Sequence, residues 1–131
     1  MFKKLDHIAI AVKNTENQIP FWQQEMGGKI EVQEVVNNQT VQLTHINVGG
    51  TQIQLVQPLN PEHPIAQWVE KFGEGLHHIC FFAEDFEAAL KYAREKNLVS
   101  KEVMPHQGTQ GKKAIFLNKE KTNNILIEIT G

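Results

Sequence analysis

One short motif occurs twice in the sequence, and each copy carries a histidine. Residues 5–10 (LDHIAI) match residues 76–81 (LHHICF) without a gap, and each segment opens one half of the chain. Such a match indicates an internal duplication. If His7 and His78 begin equivalent strands in two copies of one unit, they occupy equivalent places in space, where their imidazole nitrogens could bind a common ligand.

Two further polar residues follow these histidines at nearly equal spacings. Gln54 lies in a predicted strand of the first half, and Glu128 lies in the middle of a strongly apolar strand of the second. Two imidazoles, an amide oxygen and a carboxylate suit a divalent ion such as cobalt, zinc, nickel or manganese, and they leave coordination positions for water or substrate. The pattern predicts an open, catalytic type of metal site with four ligands: His7, Gln54, His78 and Glu128.

Each of these four residues also has a purely structural interpretation. A single histidine in a strand is more often a core or edge residue than a metal ligand. Glu128 could form an ion pair with Lys112 or Lys113, and Gln54 could be exposed on an edge strand. Because buried polar groups are costly without partners, the symmetry-matched positions of the four residues favour a shared site.

The other histidines and the single cysteine are assigned no chemistry. Strand alternation puts His77 on the face opposite His78, which predicts a structural or surface role like that of Asp6. Cys80 is expected to be a small buried residue rather than a nucleophile, because no histidine and acid are dedicated to activating it. The three remaining histidines are predicted to be solvated: His45, His63 and His106.

The elements that must position the predicted ligands follow the order β-α-β-β-β in the first half. Alternation and β-branched content predict the strands, and two tight-hairpin signals separate the last three. Asn14 or Thr15 can cap the helix, which is expected to begin or bend near Pro20 because proline lacks an amide donor. The predicted strands are residues 5–12, 29–36, 39–47 and 51–57.

The second half repeats this order after a short linker helix over 64–72, which has a proline at its favoured first position. Asp85 is the predicted cap of the next helix, and Asn97 is its predicted stop. The buried stripe of that helix is predicted to comprise Phe86, Ala89, Leu90, Tyr92 and Ala93. The predicted strands are residues 76–82, 99–104, 112–117 and 124–130.

The predicted fold class is therefore α+β. Two βαβββ modules in tandem would form a curved mixed sheet around the metal site, within a single domain of residues 1–131. Module one spans residues 3–58, the linker helix lies within residues 59–73, and module two spans residues 74–131.

Composition limits the partners. The chain has 131 residues, of which 40% are apolar and 21% charged, and its net charge of -2 gives no basic surface for nucleic acid. A single cysteine and an amino terminus without a signal-peptide pattern predict a reducing, cytoplasmic location. No apolar run approaches the roughly 20 residues that span a bilayer. Since neither nucleic acid nor a membrane is indicated, a small-molecule substrate is the expected partner.

The whole chain resembles the vicinal oxygen chelate superfamily, which includes glyoxalase I, extradiol dioxygenases and antibiotic resistance proteins. The resemblance is closest to the methylmalonyl-CoA epimerase family, and the segment GEGLHHI at 73–79 is its most specific part. The other matching segments are residues 5–12 (LDHIAIAV), 64–66 (PIA), 111–112 (GK) and 125–128 (ILIE).

That resemblance implies the same four ligands for one divalent ion and an epimerase or isomerase acting by proton abstraction. The ion would stabilise an enolate formed from a thioester substrate, Glu128 would act as acid and base, and Lys112 would contact the substrate. Exposed strand edges and the family both favour a homodimer.

One departure from the family leaves the activity open. Where some characterised members of the family carry a glutamate on the strand corresponding to residues 39–47, this chain has Leu43, and its neighbours Gln42 and Thr44 are not acids either. A lactoylglutathione lyase, acting on a thiol adduct, is the enzyme alternative. A non-catalytic protein that binds an antibiotic or another small molecule is the alternative from a different class.

Overall fold

The computed structural model describes residues 1–131 as eight strands and three α-helices. The order β-α-β-β-β occurs twice, with α2 between the two runs, so the predicted α+β class built from two βαβββ modules is confirmed. The elements are β1 Phe2–Ala11, α1 Thr15–Pro20, β2 Lys29–Val36, β3 Val41–Val48, β4 Thr51–Pro58, α2 Pro64–Phe72, β5 Gly75–Ala83, α3 Phe86–Glu95, β6 His106–Gln107, β7 Lys113–Phe116 and β8 Ile127–Thr130.

The chain forms two compact units. The N-terminal unit comprises residues 7–77, and the C-terminal unit comprises residues 1–6 and 78–131. In the N-terminal unit the strand order is β2-β3-β4-β1, with β1 parallel to β4. In the C-terminal unit the order is β5-β8-β7-β6, with β5 parallel to β8. The strands of each unit thus form a mixed arrangement of parallel and antiparallel pairs. The single domain of residues 1–131 and the limits of its two modules remain predictions.

The sheet of the N-terminal unit has two different faces. One face packs under α1 and the turn that follows it, through a cluster of Val12, Ile46, Ile53 and Leu55. The other face carries a second apolar cluster that includes Ile65 and Val69 of α2. Register pairs Ala9 with Gln54 and Gln54 with His45, so these three side chains share the face that carries the second cluster.

The C-terminal unit packs α3 against one face of its sheet. Phe86, Ala89, Leu90 and Ala93 are buried against Ile115 and Ile129, as the predicted stripe requires. Tyr92 is 42% exposed, so the prediction that it belongs to the buried stripe was wrong. Asp85 caps α3 by accepting a hydrogen bond from the Ala88 amide at 3.0 Å, as predicted.

The first helix changes character at Pro20. The Asn14 side chain caps α1, and a π-helical turn, Phe21–Glu25, continues it to the glycine pair Gly27-Gly28. Proline provides no amide hydrogen for the regular helical ladder, which explains the change predicted near this residue.

Two predicted strands were wrong in extent. Residues 99–104 are irregular, with a turn at 101–102 and no strand, and the short strand β6 lies beyond them. The last strand begins at Ile127 instead of residue 124, because Asn123 and Asn124 adopt positive φ values of 56° and 66°. A left-handed backbone cannot belong to a strand.

The linker helix α2 matches the prediction of residues 64–72, and its cap corrects another prediction. The Nδ1 atom of His63 accepts a hydrogen bond from the Ile65 amide at 3.1 Å, so His63 is a helix cap and not simply a solvated residue. None of the three α-helices has the length and apolar character that a membrane crossing requires.

Candidate metal centre

Two of the predicted ligands are buried on one face of the N-terminal unit. His7 is 3% exposed and Gln54 is 4% exposed. Gln54 is opposite Ala9 in the parallel pairing of β1 with β4, and Ala9 follows His7 by two residues on the same face. Since β4 lies between β3 and β1, the alternative in which Gln54 is exposed on an edge strand is excluded.

A third polar residue joins this pair, and its prediction was wrong. His45 was expected to be solvated but is 2% exposed. Its Nε2 atom lies 2.9 Å from Gln54 Nε2, and its ring centroid lies 5.5 Å from that of His7. The alternation of buried residues along β3 could have predicted the burial of His45, because Val41 and Leu43 precede His45 on the same face.

The other two predicted ligands are adjacent in the C-terminal unit. His78 Nε2 lies 3.4 Å from Glu128 Oε1, and the two side chains are 4% and 9% exposed. The parallel pairing of β5 with β8 places Cys80 opposite Glu128, as Ala9 is placed opposite Gln54 in the other unit. The duplication therefore reproduces the local arrangement of a strand histidine, a small residue and an oxygen ligand.

The lysine alternative for Glu128 was wrong. Lys113 pairs with Glu87 at 2.7 Å, and Lys112 pairs with Asp6 at 3.7 Å. Asp6 is therefore not a surface residue, since it is 7% exposed and holds this ion pair. The second partner of Glu128 is a histidine instead.

His106 supplies that partner, which the sequence did not predict. Its Nε2 atom lies 2.8 Å from Glu128 Oε2, and its ring stacks on Phe116 at a centroid distance of 5.2 Å. Phe116 also meets His78 edge-on at 4.9 Å. His106 was expected to be solvated, but only 33% of its side chain is exposed. The sequence did not predict this contact, because the strand that pairs with β7 was predicted at residues 99–104 and is in fact β6, which contains His106.

The neighbouring His77 has a structural role, as predicted. Its ring meets Trp68 of α2 edge-on at 4.9 Å, and the side chain is half-buried. This contact attaches the start of β5 to the linker helix.

Cys80 is unsuited to nucleophilic chemistry. Its side chain is fully buried, and burial raises the pKa of the thiol far above its ordinary value, with the charge of Glu128 acting in the same direction. The thiol stays protonated, as expected for a small buried residue.

The position of the missing glutamate is apolar in structure as well as in sequence. Leu43 is 7% exposed and packs in the cluster that contains Val41 and Val56. On the adjacent strand β2, Glu34 pairs with Leu43 in register. Glu34 is half-buried while its neighbours Gln33 and Val35 are exposed, so Glu34 points to the same face as Leu43.

The donor set in each unit fits a divalent ion. Each unit buries one imidazole from its first strand together with one oxygen-bearing side chain from its last, Gln54 or Glu128. Imidazole nitrogen, amide oxygen and carboxylate are ligands that zinc, cobalt, nickel and manganese accept.

Comparisons with known proteins decide the family. A family model described as the Glyoxalase/Bleomycin resistance protein/Dioxygenase superfamily matches residues 6–116. The chain belongs to this superfamily. The predicted resemblance to the glyoxalase superfamily is thereby confirmed, and its fold agrees with the two βαβββ runs described above.

Relatives within the superfamily are named as epimerases. An ethylmalonyl-CoA/methylmalonyl-CoA epimerase of Cereibacter sphaeroides is 34% identical over 98% of this chain and 98% of its own. A Streptomyces coelicolor methylmalonyl-CoA epimerase variant, solved with 2-nitronate-propionyl-CoA, has a TM-score of 0.90 and 26% identity over 99% of this chain and 94% of its own.

A further superfamily structure contains a substrate. A methylmalonyl-CoA epimerase in complex with methylmalonyl-CoA and NH4+ superposes with a TM-score of 0.90 at 26% identity, covering 99% of this chain and 94% of that one. Similarity to epimerases thus covers nearly the whole chain in both sequence and fold.

Proposed function

We propose that the chain is a metal-dependent epimerase that acts on methylmalonyl-CoA or a closely related acyl-CoA thioester by proton abstraction. The observation that carries this proposal is Glu128, a buried carboxylate contacted by two histidines at 2.8 and 3.4 Å. The similarity to proteins named as epimerases supports the substrate class. A cytoplasmic homodimer is part of the same proposal.

The proposed metal site takes one ligand pair from each unit. In this proposal His7 and Gln54 bind the same divalent ion as His78 and Glu128, and the ion is cobalt, zinc, nickel or manganese. When bound, such an ion supplies positive charge for the enolate oxygen that develops as the proton leaves. The support is that the duplication buries the two pairs at equivalent places in two equivalent modules.

Glu128 is the proposed acid and base. The proton to be removed lies between a thioester carbonyl and a carboxylate, so a carboxylate base is sufficient once the resulting charge is stabilised. His106 and His78 each contact one oxygen of Glu128. These contacts fix the orientation of the carboxylate, so that it can take the proton on one face of the substrate and return it there.

Epimerisation also requires a proton donor on the opposite face, and Leu43 cannot supply it. In this proposal Glu34 takes that role. Glu34 pairs in register with Leu43 and is half-buried on the same face, and a glutamate side chain can extend past its own strand towards the neighbouring one.

Lys112 is the proposed contact for the negative charge of the substrate. Its Nζ atom lies 3.7 Å from Asp6 and 5.4 Å from the centre of the Phe82 ring, and 30% of the side chain is exposed. A partly exposed cation held by one acid and one aromatic ring is positioned to meet an anionic group of the substrate.

Deuterium exchange tests the function. The metal-loaded protein is incubated with one stereoisomer of methylmalonyl-CoA in deuterated water, and loss of the C2 proton is followed by NMR. Exchange and epimerisation well above the protein-free rate are expected. Turnover of a hemithioacetal without such exchange would identify the lyase alternative, for which the absence of a glutamate at Leu43 leaves room.

Metal analysis tests the non-catalytic alternative. After loading and desalting, we expect about one divalent ion per chain, the stoichiometry of a single open site. A chain that retains far less than one ion, yet binds an antibiotic, would overturn the enzyme proposal in favour of a binding protein.

A further inference from the structure

The contact between His45 and Gln54 determines how the proposed ligand Gln54 is presented. Both side chains are almost fully buried, and their Nε2 atoms lie 2.9 Å apart. An amide nitrogen only donates hydrogen bonds, whereas a neutral imidazole nitrogen can accept one. In this arrangement Gln54 donates and His45 Nε2 accepts, which requires the neutral His45 tautomer with its hydrogen on Nδ1.

This polarity decides which end of the Gln54 amide is available to a cation. With the amide NH₂ held by His45, the carbonyl oxygen Oε1 is the end left to face the ion, and oxygen is the atom of an amide that binds metals. The reverse orientation would direct an NH₂ group with partial positive charge at the ion. A buried glutamine without a fixed partner could adopt either orientation.

The fold places His45 for this role in two ways. Register makes His45 the partner of Gln54 across the antiparallel pairing of β3 with β4, so the two side chains leave neighbouring backbone positions on one face. The His45 ring also packs at 5.5 Å and 37° against that of His7, which is the other proposed ligand of this unit. The His45 side chain thus contacts both Gln54 and His7, the two proposed ligands of this unit.

We infer that His45 is a positioning residue of the metal centre, which holds the Gln54 carboxamide with its oxygen towards the ion and packs against His7. The inference rests on the proposed function, since it assumes that Gln54 is a ligand. Partners that orient ligands in this way typically contribute about 10- to 100-fold to metal affinity.

Metal affinity and a spectrum test this role without reference to catalysis. Zinc dissociation constants are measured by chelator competition for wild type, His45→Phe and His45→Gln, together with the visible absorption of the cobalt-loaded proteins. His45→Phe keeps the ring and removes the acceptor, so about 10- to 100-fold weaker binding and an altered cobalt spectrum are expected. His45→Gln, which can still accept from the Gln54 amide, should recover most of the affinity.

A double-mutant cycle separates positioning from general damage. In a Gln54→Ala background, His45→Phe should cost little further affinity, because the group through which it acts is gone. His77→Phe is the matched control, since it exchanges the same residue types at the contact with Trp68, and it should bind zinc like wild type.

The outcomes distinguish this role from the proposed function. A wild-type chain that takes up no ion overturns the metal part of the proposed function, and this role with it. A wild type that binds zinc while His45→Phe binds equally well overturns the positioning role alone, as does an equal loss in the Gln54→Ala background. If His45→Phe does not fold, His45→Leu, which also removes the acceptor, takes its place in the same cycle, with the same losses expected.

Discussion

At the scale of single residues, Glu128 is a buried carboxylate that two histidines contact. Its two carboxylate oxygens contact different histidines, and its side chain is only 9% exposed. A buried carboxylate of this kind is costly unless it is paired or binds a metal. His78 and His106 are the partners that pair with this carboxylate. His77, which precedes His78 in the sequence, packs on Trp68 instead.

Replacing Glu128 with glutamine should abolish proton exchange. Glutamine has nearly the same volume but cannot accept the substrate proton, so a loss of about 10²- to 10⁴-fold in the C2 exchange rate is expected. The rate is measured by NMR with saturating ion. His77→Ala is the control and should retain most of the wild-type rate; equal losses in both variants would refute the assignment of the two faces of β5.

Cys80 should be inert towards thiol reagents in the folded protein. Its thiol is fully buried, and its raised pKa keeps the reactive thiolate from forming. Labelling with a disulfide reagent should be slow under native conditions and complete within minutes in denaturant. Rapid stoichiometric labelling of the native chain would contradict this burial.

The same pKa shift has a consequence for stability. Because folding raises the thiol pKa, the protonated form favours the folded state, and this contribution is present below the ordinary value of 9.0 and declines as pH rises above it. A Cys80→Ala variant should therefore lose less stability than wild type between neutral and strongly alkaline pH in denaturant titrations.

At the scale of elements, the β2–β3 hairpin positions Glu34, the acid that we propose as the second proton donor. Asn37 and Asn38 take positive φ values of 53° and 57° in the turn, which closes the hairpin and sets its register. That register places Glu34 opposite Leu43. Glu34 therefore lies on the strand next to that of Leu43, on the same face of the sheet.

Glu34→Gln should separate proton exchange from epimerisation. If Glu34 delivers the proton to the second face, the variant will still exchange the C2 proton through Glu128 but will return it mostly on the original face. We expect inversion to fall at least about 10²-fold while exchange with retention changes little. Both are followed by NMR and chiral analysis in deuterated water.

The control for this experiment is Glu31→Gln, which lies on the same strand but is exposed. It should leave both rates unchanged. An unchanged ratio of inversion to exchange in Glu34→Gln would show that the second proton donor lies elsewhere.

The helix cap at Asp85 should contribute measurably to stability. The Asp85 side chain accepts the Ala88 amide hydrogen at the start of α3, so Asp85→Ala should lower the free energy of unfolding by about 1 kcal/mol with an unchanged urea m-value. Glu95→Ala, at the exposed end of the same helix, removes only a 4.0 Å surface pair with Lys91 and should change stability by less than about 0.5 kcal/mol. Equal effects would argue against the cap.

At the scale of the whole molecule, the duplication organises the chain. Each half supplies a strand histidine, a small neighbour on the same face and an oxygen-bearing residue on its last strand. The structure groups residues 1–6 with the second half, so β1 begins in one compact unit and continues into the other. The halves of the sequence therefore do not coincide with the compact units.

Much of this organisation follows from local patterns. Alternation, caps and proline positions predicted α2, the cap of α3 and most strands, because these features depend on residues close in sequence. The errors fall at 99–104 and 124–126, where asparagine backbone geometry and turns overrode strand propensity.

The sequence by itself determined the α+β fold, the duplicated order of elements and the four residues proposed as ligands, since these are read from periodicity and repetition. Tertiary structure alone decided the hydrogen-bond partners of His45 and His106. His45 meets Gln54 at 2.9 Å across the pairing of β3 with β4, and His106 on β6 meets Glu128 on β8 at 2.8 Å with β7 between them. Hydrogen-bond partners of this kind depend on register and burial, which no local pattern specifies.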